Sequence, residues 1–93
     1  MEENAKTVAQ LLKLLANEHR LLILCALAEG ERTVGEIHAF LPGITGSALS
    51  QHLSQLKLGG ILEAEKRGMH VFYRIDDPRV VSLLGVLKEY YCP

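Results

Sequence analysis

Between Ala5 and Ala16, Val8, Leu11, Leu12 and Leu15 recur at helical spacing, and Leu14 widens the stripe. The next apolar block, Leu21 to Ala28, is almost continuous. By composition it suits a buried strand. Asn17, however, stands where an N-cap belongs and Gly30 where a helix stops, so a helix from Glu18 to about Glu29 is predicted. Thr33 and Glu36 have capping-box spacing and open a short third helix through Ile37, Phe40 and Leu41. Pro42-Gly43 turns the chain. Thr45 or Ser47 then caps a fourth helix that carries Leu49, Leu53 and Leu56 on its buried side, and Gly59-Gly60 stops it.

Beyond Gly60 the period falls to two. Residues Ile61–Lys66 and Met69–Ile75 read as strands joined at Arg67-Gly68, a hairpin. Asp76-Asp77-Pro78 resets the chain, with Pro78 in the first turn of a last helix that runs to about Tyr91. The third helix, its short turn and the fourth helix make a helix-turn-helix, and a hairpin directly after it makes it winged. The expected fold is mostly α with a β-hairpin wing, one DNA-binding and dimerisation domain over residues 1–93. A plain helical bundle leaves the hairpin unexplained.

The last helix is apolar on more than one face. Val80, Leu83, Leu84, Leu87 and Tyr91 follow one stripe, while Val81, Val86 and Tyr90 fall outside it. The first helix has a similar excess at Leu14. A domain this small covers one face of a terminal helix, so a homodimer through the terminal helices is expected. The alternative is that these residues only complete the monomer core.

Composition narrows the choices. With 93 residues, 48% of them hydrophobic and 23% charged, the chain is one small domain, too apolar for disorder. Ten basic against eleven acidic residues give a net charge of −1, so any basic surface must arise locally. The polar N-terminus is unlike a signal peptide and no apolar run suits a membrane span, so a cytoplasmic protein with no membrane partner is expected. No nucleophile-base-acid set and no phosphate-loop glycine pattern is visible, which argues against an enzyme. Two cysteines, Cys25 and Cys92, are too few for a disulfide scaffold.

The outward face of the fourth helix presents Ser47, Ser50, Gln51, Ser54 and Gln55, with His52 nearby. Glutamine pairs bidentately with adenine, and serine bonds to bases or phosphates. The wing offers Lys66, Arg67, His70 and Arg74, a local positive cluster suited to phosphate or minor-groove contact. Taken singly, such residues more commonly just solvate a surface, the case for DNA resting on their sharing one helix-turn-helix and wing, and Glu63 and Glu65 on the first wing strand work against a DNA platform.

The segments LLKLLANEHRLLILCALAEGERTVGEI and ALSQHLSQLKLGGILEAEKRGMHVFYRI resemble those of the ArsR/SmtB family of dimeric winged-helix repressors, and the resemblance covers nearly the whole chain. It implies operator binding by a homodimer at an inverted repeat, with release when an inducer is sensed. By position, Ser50, Gln51 and His52, with Ser47 and Gln55, match the family's DNA-reading helix, and Arg67, Gly68 and His70 match its wing. Many relatives bind metals through Cys-x-Cys in the third helix or through His and Asp in the last. Residues 33–38 hold no cysteine and residues 77–91 no histidine. His19, His38, His52 and His70 are scattered, so neither a metal nor a cofactor is expected.

Cys25 and Cys92, with the ending LKEYYC, are similar to the BigR/SqrR/HlyU branch of that family. That similarity implies a sensor of reactive sulfur species or oxidants, in which a disulfide or polysulfide bridge between the two cysteines frees the DNA. HlyU-like members act as antisilencers of virulence genes. Three other readings stay open. The cysteines can serve as soft ligands of a metal or metalloid sensor. They can be idle, with Cys25 a small core residue. The domain can be an interaction module that never binds DNA. No nearby group evidently activates either thiol.

Overall fold

The computed structural model describes residues 2–91. Helix α1 (Glu2–Leu15) begins three residues earlier than the apolar stripe indicates, with Glu2 and Glu3 favourably placed at the positive end of its dipole. Asn17 caps α2 (Glu18–Leu27), its side-chain oxygen accepting from the backbone N–H groups of His19 and Arg20 at 3.0 and 3.2 Å. The helix stops two residues short of Glu29. Gly30 follows in a left-handed conformation, φ +150°.

Strand β1 (Arg32–Thr33) was not expected from the sequence. Two residues are too few to show alternation. β1 pairs antiparallel with the second wing strand, Arg32 opposite Tyr73 and Thr33 opposite Phe72. Thr33 also caps α3 (Val34–Phe40) in a reciprocal capping box with Glu36. The start of the helix-turn-helix is therefore fastened to the wing through one residue. The turn leads to α4 (Gly46–Leu58), capped by Thr45 rather than Ser47: the Thr45 hydroxyl accepts from Ala48 N–H at 3.1 Å.

The wing comprises β2 (Leu62–Arg67) and β3 (His70–Ile75) in a sheet of order β1-β3-β2. Its turn is Gly68-Met69, one residue later than expected, because Arg67 stays in the ladder opposite His70. Gly68 takes φ +61° at the first turn position, which a side chain would oppose. Helix α5 (Pro78–Tyr91) starts with Pro78 and with the Asp77 carboxylate accepting from Arg79 N–H at 2.9 Å.

One core joins these elements. Ile23, Leu24 and Leu27 of α2, Ile37, the α4 residues Leu49, Leu53 and Leu56, Ile61, Leu62, and Val80 and Leu84 of α5 are all buried. The α4 stripe is the predicted one. On α5 the core stripe ends at Leu84, and Leu87 and Tyr91 beyond it are exposed. On α1 the surplus apolar residues are Val8 and Leu12, not Leu14. Leu14 packs against the core and fills the space that the absent Gly59 side chain leaves. Phe40 of α3 is half exposed, with the Arg32 guanidinium 4.8 Å over its ring. No helix among the described residues is long and apolar enough to cross a membrane.

Candidate nucleic-acid interface and thiol groove

With Leu49, Leu53 and Leu56 turned into the core, α4 must present its other side to solvent. Ser47, Ser50, Gln51, Ser54 and Gln55 are all exposed there. The turn that carries α4 is held by His38: its Nε2 donates to the Ile44 carbonyl at 2.8 Å and ties α3 to the loop before Thr45.

His52, expected beside this polar face, is partly buried at its edge. Arg20 of α2 donates from Nε to His52 Nδ1 at 3.2 Å and from its terminal nitrogen to the Leu14 carbonyl at 3.3 Å. The His19 ring is tilted against His52 at 5.7 Å. Burial, then the charge of Arg20 and then His19, hold the His52 pKa below its ordinary 6.5. The unfolded chain therefore takes up the proton first. This stabilisation is complete above about pH 6.5 and is lost as the pH falls through the lower folded value. Acidifying from about pH 7.5 to about pH 5.5 should lower the urea midpoint of the wild type more than that of His52→Asn, whose side-chain oxygen still accepts from Arg20. Equal losses in the two proteins would exclude His52 as the titrating group.

The wing cations do not form one positive cluster. Alternation and the Arg67–His70 register place Glu63, Glu65, Arg67, His70, Phe72 and Arg74 on one face, and Lys66 on the other with Ala64, Val71 and Tyr73. Arg67 is engaged three times. It makes a bidentate pair with Glu31 at 2.6 and 2.8 Å, bonds Glu65 at 3.0 Å, and lies over the Phe72 ring at 4.6 Å. Arg74 meets Glu63 at 3.0 Å and Glu65 at 3.7 Å. The hydrogen bonds from Arg67 hold the Glu31 and Glu65 carboxyls below the usual carboxylate range, so this network stays charged at neutral pH. Lys66 and His70 are exposed and in no ion pair among the described residues.

Cys25 is exposed on α2, beside Leu21 and Ala28 as its helical position requires. All three line a groove of about 600 Å³ whose other wall is α5, with Val81, Leu84, Lys88 and Tyr91. Cys92, named with Cys25 as a candidate sensing residue, lies outside the described residues. Among those described, no three His, Cys, Asp or Glu side chains are grouped to hold a metal ion.

Sequence reasoning missed the roles of Arg20, Glu31 and His38. Arg20 and Glu31 act across fold contacts 32 and 36 positions long, while His38 reaches only six residues on, into the turn before α4. Strand alternation alone would have placed Glu63, Glu65 and Arg67 on one face.

A helix-turn-helix with an exposed polar second helix, bound at its entry to a wing, defines a DNA-binding regulator of transcription. Residues 17–64 match the model of the bacterial regulatory protein arsR family. The chain is 40% identical to the transcriptional activator HlyU of Vibrio cholerae, covering 99% of this chain and 84% of that protein. The reduced form of that protein superposes with a TM-score of 0.94, covering 100% of this chain and 97% of that one. This chain is 38% identical to the biofilm growth-associated repressor of Xylella fastidiosa, covering 99% of this chain and 80% of that protein. A winged helix-turn-helix DNA-binding domain from Mycobacterium bovis, described as homodimeric, is 36% identical with a TM-score of 0.80, covering 96% of this chain and 82% of that one. The chain belongs to the arsR family of bacterial regulatory proteins and is a transcriptional regulator, not an enzyme.

Proposed function

We propose that this regulator is a homodimeric repressor that holds an inverted-repeat operator and leaves it when reactive sulfur species or oxidants bridge Cys25 and Cys92. The observation that carries the DNA part is the exposed Ser/Gln face of α4, backed by a buried leucine stripe that fixes its orientation. Exposed apolar residues on α1 and α5 support pairing, as does the homodimeric relative. Two copies then present two α4 helices to half-sites one duplex turn, about 34 Å, apart. Ser47, Ser50, Gln51 and Gln55 read bases or phosphates, His52 borders them, and Lys66, Arg67 and His70 contact the backbone from the wing. Such a protein works in the cytoplasm.

The sensing part is supported by Cys25 facing α5 across an open groove that Tyr91, the neighbour of Cys92 in the chain, also lines. With peroxide, the two thiols give up two protons and two electrons to form one S–S bond, and the peroxide leaves as two waters. With a polysulfide, sulfur stays between the two thiol sulfurs and the remainder departs as sulfide. Cys25 is one helical turn before Glu29-Gly30-Glu31, the loop that grips the wing arginine, so a shift of that last turn reaches the wing. The similarity to the biofilm growth-associated repressor supports repression, and the similarity to the activator HlyU supports the alternative, an antisilencer working through the same DNA contact.

Gln51→Ala tests the reading helix. Anisotropy titrations on the chain's own upstream DNA should show specific affinity weakened by about 1–3 kcal/mol, with binding to random duplex largely kept. An equal drop on both duplexes would remove Gln51 as a base reader.

A further inference from the structure

Arg67 ends β2 at the wing tip, opposite His70 and next to the turn, where a cation reaches furthest toward a duplex. Its guanidinium instead folds back along the strand. It stacks over Phe72, two residues in from the tip on β3, and meets both oxygens of Glu31. Glu31 is not part of the hairpin. It stands just before β1, whose pairing of Arg32 with Tyr73 and Thr33 with Phe72 fixes it beside the wing. Glu65 takes a further N–H of the same guanidinium at 3.0 Å. Around Arg67 and Arg74 the carboxylates of Glu31, Glu63 and Glu65 leave the face one negative charge in excess. A phosphate approaching Arg67 there meets carboxylates already in its place.

We propose that Glu31 is an internal competitor for the operator phosphate. It holds Arg67 retracted from the wing tip, and DNA must displace it before Arg67 makes its contact. This rests on the reading that the wing binds DNA. Glu31 is thus a positioning residue that acts through Arg67, and it tunes affinity downward so that binding stays reversible. An exposed pair of this kind is weak enough for a phosphate to exchange with it.

The test is a set of anisotropy titrations of the upstream duplex over a range of salt concentrations. The proteins are wild type, Glu31→Gln, Arg67→Ala and the double variant. Glu31→Gln should bind about fivefold more tightly at low salt. Its plot of log affinity against log salt should steepen by about 0.9 for each wing that gains a phosphate. In the Arg67→Ala background, Glu31→Gln should change neither quantity beyond a small repulsion effect. The proposal is overturned by an unchanged slope in Glu31→Gln, by weaker binding, or by an equal gain without Arg67. A wild type that fails to bind any duplex at low salt overturns the DNA reading and this inference with it. Normal wild-type binding with an inert Glu31→Gln overturns this inference alone.

Discussion

Val86→Glu is expected to turn the protein into a monomer and weaken operator binding by about a hundredfold or more. Val86 is 51% exposed on α5, with Tyr90 one turn further on and the exposed Val81 on the same helix. Val80 and Leu84, which anchor α5 to its own subunit, are buried, so the substitution leaves the core intact. In a two-fold pairing of terminal helices every change occurs twice across the axis. Two carboxylates would then be pressed into a contact that the exposed apolar residues of α1 and α5 would otherwise fill. The loss on DNA exceeds the loss of one contact, because a dimer gains the second half-site at high effective concentration, an advantage of about 10² to 10⁴. Helical dichroism should be unchanged while sedimentation reports the monomer and anisotropy the weakened binding. A variant that stays dimeric with full affinity would place the pairing surface elsewhere.

Cys25→Ser should bind the operator as the wild type does and no longer respond to sulfur oxidants. Serine replaces an exposed side chain of similar size, so neither the α2 packing nor the α4 face changes. Treating the wild type with polysulfide or peroxide should cost about 5–150-fold in operator affinity, the usual range of coupling between two sites. The treated variant should lose none of it. Intact mass of the treated wild type should show two hydrogens lost for a disulfide, or added sulfur for a longer bridge. A Cys25→Ser protein that polysulfide still releases would rule out the two-thiol switch. Release of the wild type by a metal salt alone would favour soft-metal sensing.

Much of this architecture was legible in the residues because it is locally encoded. Asn17, the Thr33–Glu36 box and Thr45 start their helices by bonding within three positions, and Pro78 starts α5 through its fixed φ. The Leu49-Leu53-Leu56 stripe fixed which face of α4 is free. Position on the helix also put Cys25 beside Leu21 and Ala28. What escaped depends on contacts between distant segments. β1 is a strand only because Tyr73 and Phe72 are there to receive it. No local spacing links His52 to Arg20, 32 residues earlier, which donates to it. The wing cations looked like one patch because a row of letters does not show two strand faces, nor that Glu31 closes on Arg67 from outside the hairpin.

Sedimentation of the purified wild-type chain, alone and with its upstream duplex, tests the two-fold regulator most directly. A species of twice the 10.3 kDa chain mass, binding as one pair per inverted repeat, is the predicted result. A single 10.3 kDa subunit at working concentrations, or one subunit per duplex, would contradict it.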